Sequence, residues 1–234
     1  MSYECRLDLQ RIERSLRNVQ KEFNVINKKL DVRRDPLEDV IIENMLLGYT
    51  YLNKLLERKV KLLHRRGLHH VLELNHIVLC GRDPKVRKEH IKHIKATTDR
   101  FYEQKDCNIG HLTTWHQKNI DKSAWKRAAG VYILHLSQPQ LFFEGNHRTG
   151  ALIMSYLLAT DCKPPFVLNI ENAEAYFNPS TLAKLTTKSV VTNLWKLPKI
   201  RKNFAKFLKN QGRSNYLISN KSSSRSKGKT KRLR

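Results

Sequence analysis

From Leu9 the apolar positions fall at Ile12, Leu16, Val19, Phe23, Ile26 and Leu30, in alternating steps of three and four. This heptad seam predicts a helix over residues 9–30. It suits either a helix laid on its own domain or a dimerising coiled coil, and its shortness, with Phe23 in the seam, favours the first while leaving a homodimer open. Asp35-Pro36 ends that helix and opens a second over residues 37–64. Arg65-Arg66-Gly67 reads as a helix end, and His69–Leu79 as an apolar helix closed by Gly81 and Pro84. Sparse apolar points over residues 85–105 support a helix that includes a turn, and the turn residues of Asp106–Asp121 predict a loop. Ser123 is placed to cap a strongly apolar helix through Ser137. Gln138-Pro139-Gln140 breaks it, and a second apolar helix follows at Thr149–Ala159. Beyond Lys163-Pro164-Pro165, shorter helices are expected at Ala173–Tyr176, Ser180–Thr187 and Pro198–Lys209. Strand signals are weak throughout, so the expected class is mainly α: a helical bundle whose central helix–loop–helix joins two buried helices through one polar loop.

Charge changes the picture at the C-terminus. The 234 residues carry 45 Lys and Arg against 21 Asp and Glu, a formal charge of +24, and no acidic residue follows Glu174. Residues 211–234 read as a basic, disordered tail, too poor in apolar side chains to order themselves. Such a tail suits nonspecific contact with a polyanion, or a nuclear-import address in a eukaryotic cell. Without aromatic residues after Tyr216 it offers no base-stacking surface. The division expected is an N-terminal heptad helix over 1–35, a main domain over 36–210 and the tail. Cys5, Cys80, Cys107 and Cys162 are scattered, which suggests neither a zinc module nor a disulfide framework and favours a reducing, cytoplasmic setting. No run approaches the roughly 18 apolar residues of a membrane span, and the N-terminus lacks a secretory pattern.

The loop Phe142-Phe143-Glu144-Gly145-Asn146-His147-Arg148-Thr149-Gly150 sets a carboxylate, a glycine turn, an amide and an arginine directly before a helix. Helix N-termini present unpaired N–H groups and a positive dipole end, so this turn could hold a phosphate, with Arg148 adding charge-assisted bonds and Glu144 a Mg²⁺ ligand. On spacing alone, an ordinary tight turn between buried helices is an equal reading.

These residues resemble the signature of the Fic family, His-x-Phe-x-(Asp or Glu)-Gly-Asn-(Gly or Lys)-Arg-x-x-Arg, with Phe142, Glu144, Gly145, Asn146 and Arg148 in register. The resemblance implies an all-α Fic domain and transfer of AMP, or another phosphate-bearing group, from ATP or a related nucleotide to a hydroxyl of a target protein. By resemblance Glu144 holds Mg²⁺, and Gly145, Asn146, His147, Arg148, Thr149 and Gly150 form the nucleotide phosphate site. Two positions depart. The family's base is replaced by Gln140, whose amide does not abstract protons near neutral pH, and the second arginine by Ala151. His147, with an imidazole of suitable ordinary pKa, is a candidate substitute base. His135 lies on the apolar helix and reads as a core histidine. Upstream, Asp39-Val40-Ile41-Ile42-Glu43-Asn44 is similar to the family's inhibitory helix except at its first position, which makes Glu43 a candidate brake on the site. Leu72-Glu73-Leu74-Asn75-His76 is similar to the helix that precedes the family's target-docking flap, although no β-hairpin is evident between Gly81 and Thr114. The implied function is a nucleotide-binding Fic-type protein, an adenylyltransferase or a relative with impaired transfer; the alternatives are a non-catalytic binding protein and a basic nucleic-acid-associated protein.

Overall fold

A computed structural model describes residues 3–103, 109–187 and 195–221. Among them are eleven α-helices and one two-stranded antiparallel sheet, so the chain is mainly α. The heptad segment is two helices, α1 (Leu9–Lys21) and α2 (Phe23–Asn27), broken at Glu22. Ile12, Leu16, Val19, Phe23, Ile26 and Leu30 are all buried in the core shared with the rest of the chain, which is the intramolecular reading of the seam. Helix α3 (Asp39–Glu57) ends well before residue 64, because Lys59 turns the chain at φ 52°. The apolar stretch after it is α4 (Leu68–Cys80), closed at Gly81 with φ 65°.

Residues 85–105 form α5 (Pro84–Glu89) and α6 (Ile91–Glu103), with a turn at His90. The loop expected at 106–121 is corrected in part: Ile109–Lys118 is a helix, α7. Its apolar residues are few, but Ile109 and Leu112 are buried and Trp115 seats its ring against Gly130, so tertiary contact supplies what local propensity lacks. The central pair is α8 (Ala124–Leu136) and α9 (Asn146–Thr160), the most extensively packed helices of the fold. Ser123 does stand at the N-terminus of α8, though its side chain makes no capping bond. The two short helices expected after residue 173 are one, α10 (Ala173–Lys184), which runs through Pro179. Helix α11 (Leu197–Gln211) then packs on α8.

Two sequence expectations fail at the edges of the chain. The disorder expected from residue 211 does not hold through residue 221, because Leu217–Lys221 is a strand, β2, paired with β1 (Tyr3–Leu7) in the register Cys5 to Ser219 and Leu7 to Leu217. Tyr216 anchors this return: it is buried and donates from its hydroxyl to Ser15 Oγ at 3.0 Å. Residues 222–234, which carry the remainder of the expected tail, lie outside the described residues. The cysteines also pair. Cys5 on β1 and Cys162 after α9 form a disulfide between positions 157 residues apart, with Cα atoms at 5.7 Å. Linear spacing carries no sign of such a bridge, since the two positions meet only when β1 folds across the end of α9. Cys80 is free and buried. Among the described residues no helix is long and apolar enough to cross a membrane.

Candidate functional site

The loop from α8 to α9 is held from within by a single amide. Asn146, 5 % exposed, accepts from the Phe142 N–H at 3.0 Å and donates to the Phe142 carbonyl at 2.8 Å and to Gln140 Oε1 at 3.4 Å. One side chain with both a donor and an acceptor thus closes the loop on itself. Phe142 is the loop's apolar anchor, stacked on Phe101 of α6 with centroids 5.5 Å apart and edge-on to His135. From outside, Asn75 of α4 donates to the Glu144 carbonyl at 2.9 Å and to Thr149 Oγ1 at 3.1 Å. Arg100 of α6 donates to the Gln140 carbonyl at 2.6 Å and lies over the Phe143 ring.

At Gly145 the backbone is left-handed, φ 71°, so a side chain would be strained there. A Cβ would also stand 3.1 Å from Asn75 Nδ2 and 3.2 Å from Val78 Cγ2. This turn starts α9 one turn earlier than the apolar pattern suggests, at Asn146 rather than Thr149. No side chain caps the helix, and among the described residues the N–H groups of Asn146, His147 and Arg148 have no protein acceptor; the first amide claimed is that of Thr149, by the Gly145 carbonyl. As at helix starts generally, these unclaimed donors stand at the positive end of the helix dipole, where negative charge is favoured. Glu144, exposed, stands at the same turn. A lone carboxylate there fits Mg²⁺ only in the manner of an ion shared with phosphate oxygens, because among the described residues no three His, Cys, Asp or Glu side chains could hold a metal by themselves.

The remaining candidate residues divide by position. Arg148 Nη1 donates at 2.6 Å to the carbonyl of Val78, near the C-terminal end of α4, and burial holds its pKa below the ordinary value against the opposing charge of Glu144. Its guanidinium therefore ties α9 to α4. Thr149 and Gly150, expected to touch phosphate, are buried instead: Thr149 Oγ1 accepts from Asn75, and a Cβ at Gly150 would stand 2.7 Å from the Tyr132 ring. Position 150 takes glycine because α8 and α9 cross there. Ala151 is likewise buried.

Gln140 folds back on the chain, donating from Nε2 to the Leu136 carbonyl at 3.0 Å, so it terminates α8 and braces Asn146. His147 turns inward. Its Nδ1 lies 3.2 Å from the Tyr132 hydroxyl, its Nε2 is buried without a partner, and its backbone carbonyl accepts from Tyr176. Burial first, then the charges of Arg34, Lys184 and His135, push its pKa down to about 3. An imidazole so placed is a weak base whose ring faces Tyr132. His135, 1 % exposed, is a core residue with Nε2 on the Asn146 carbonyl at 2.9 Å. Glu43 is exposed on α3, and no ion pair joins it to Arg148 among the described residues. Asp39, which opens that segment, is bonded instead to Arg17 and Gln20 of α1.

Sequence reasoning missed Arg100 as a support of the loop and noted Asn75 only within a resemblance. A signal for Asn75 exists: it is a polar residue on the apolar face of α4, flanked by Leu72, Leu74 and Val78, and fully buried polar groups require partners. Arg100 has no such signature, since a basic residue on a charged helix reads as solvated. The chain matches no family model, no curated protein and no solved structure.

Proposed function

We propose that this chain is a Fic-type binding protein that takes the phosphate groups of a nucleotide at the N-terminus of α9 and lacks efficient group transfer. The observation that carries the reading is the uncapped start of α9, with three free N–H groups on a turn held by Asn146 and Asn75. Glu144 would hold Mg²⁺ against the phosphate oxygens, and the metal would neutralise their charge. Transfer would need a base at the loop mouth. Gln140, at the family's base position, is an amide spent on Leu136 and Asn146, and His147 faces the interior. Binding without transfer is therefore favoured over catalysis.

Calorimetry of ATP with and without Mg²⁺ tests this, with Glu144→Ala as the variant, because Glu144 is exposed and its loss leaves the loop's hydrogen bonds in place. Wild type is expected to bind Mg-ATP, and the variant to lose the Mg²⁺ dependence, by about tenfold in affinity. Absence of saturable binding by wild type overturns the nucleotide reading. Labelled AMP transfer to protein by wild type overturns the claim of impaired chemistry; transfer seen only in Gln140→His supports it.

A further inference from the structure

At the opposite end of α9 from the loop lies a cavity of about 760 Å³, within the ~300–1,000 Å³ range of small-molecule sites. Five parts of the chain enclose it: β1, the end of α3 with the turn after it, the end of α7 with the turn after it, Arg127 of α8 and the end of α9. The Cys5–Cys162 disulfide is part of its wall, covalently joining β1 to the chain leaving α9, so the two walls that meet there are pinned together.

Its lining has two characters. Leu62, Leu63 and Leu157 are buried side chains that give it an apolar floor, while Ile120 stands at the cavity 54 % exposed. The charged lining is cationic. Of its two acids, Asp161 is already committed to Arg127, at 2.5 Å, and that guanidinium also donates to the carbonyls of Ile120 and Lys122. Arg6, Lys59 and Lys61, all exposed, then outweigh Glu57. An apolar floor alone would accept any neutral hydrophobe; cations around it select a ligand with a negative head group as well as an apolar body.

We propose that this cavity binds an organic anion, its apolar body on Leu62, Leu63 and Leu157 and its carboxylate or phosphate head on Arg6 and Lys61. The site is separate from the loop at the start of α9, since fifteen residues of helix, about 22 Å, lie between them. It therefore stands or falls independently of the nucleotide reading.

The test uses the full-length, oxidised protein and four probes: decanoate, decyl phosphate, decanol and inorganic phosphate. Calorimetry is expected to give saturable binding of decanoate or decyl phosphate, with decanol at least about tenfold weaker. Inorganic phosphate should leave the methyl resonances of Ile120 and Leu157 unmoved, whereas the bound anion shifts them. The double variant Arg6→Glu and Lys61→Glu, at two exposed positions, should weaken the anion by about tenfold or more while leaving decanol unchanged, with an unaltered circular dichroism spectrum as the check on folding. Failure of both anions to bind, equal binding of decanol, indifference to the charge reversal, or shifts spread over the surface instead of the cavity would each overturn the proposal.

Discussion

Asn146 does at the loop what neither a carboxylate nor an aliphatic side chain can do, because it pairs simultaneously with the N–H and the carbonyl of Phe142. Asn146→Asp keeps the size and loses the donor, setting an acceptor against the Phe142 carbonyl in a buried place. The expected cost is about 2–3 kcal/mol, read as a lower urea midpoint at unchanged slope; a midpoint equal to wild type would show that the loop does not depend on this pair. His147 supplies a pH dependence. Its folded pKa, near 3, lies below the ordinary 6.5, so the unfolded chain binds the proton more readily. Its contribution is complete above about pH 6.5 and is lost as pH falls toward 3, at up to roughly 1.4 kcal/mol per pH unit. Buried His76 and half-buried His116 are also shifted downward, chiefly by desolvation, and add to the same trend. Unfolding midpoints at pH 7 and pH 4.5 should therefore differ more in wild type than in His147→Gln, and equal losses would remove His147 from the account. Gly145, Asn146 and Gln140 were legible as a loop because their types are special to turns and amide pairing. Thr149 and Gly150 face the interior, against Asn75 and Tyr132, and a motif does not say which side of a helix a residue occupies.

Between elements, Gly130 shows how a helix without a strong pattern is held. A Cβ there would stand 1.8 Å from Trp115 Cη2, so α7 approaches α8 through an indole laid across a glycine. Gly130→Ala gains helix propensity yet displaces that ring, and a net loss of about 1–3 kcal/mol is expected, measured by thermal unfolding. A stabilised variant would mean that the propensity gain wins and Trp115 has room to move. The same dependence on contact explains which elements could be read in advance. The long apolar helices α3, α4, α8 and α9 follow their periodicity, whereas the break at Glu22 and the continuation of α10 through Pro179 contradict local rules. Around α10, Ala173, Tyr176, Phe177, Ser180 and Ala183 are all buried, and that burial offsets the hydrogen bond that proline cannot make.

Across the described residues, the first and last segments are joined. β1 and β2 pair residues more than two hundred positions apart, and the Cys5–Cys162 bridge fastens β1 to the end of α9. A bridge closing so long a loop restricts the unfolded chain strongly, and its reduction should cost about 2–5 kcal/mol, seen as a lower denaturation midpoint in the presence of a thiol. Mass spectrometry of a nonreducing digest checks the connectivity, and the finding of free Cys5 and Cys162 in the oxidised protein would refute it. The sequence by itself determined the helical class, the two buried helices flanking a polar loop, and the basic surplus, because these follow from local periodicity and composition. Only the tertiary structure decided the disulfide, the late strand, the inward turn of His147, the free N–H groups at the start of α9 and the cavity at its end. Each depends on which distant segments meet, and spacing along one chain does not encode that meeting in any local pattern.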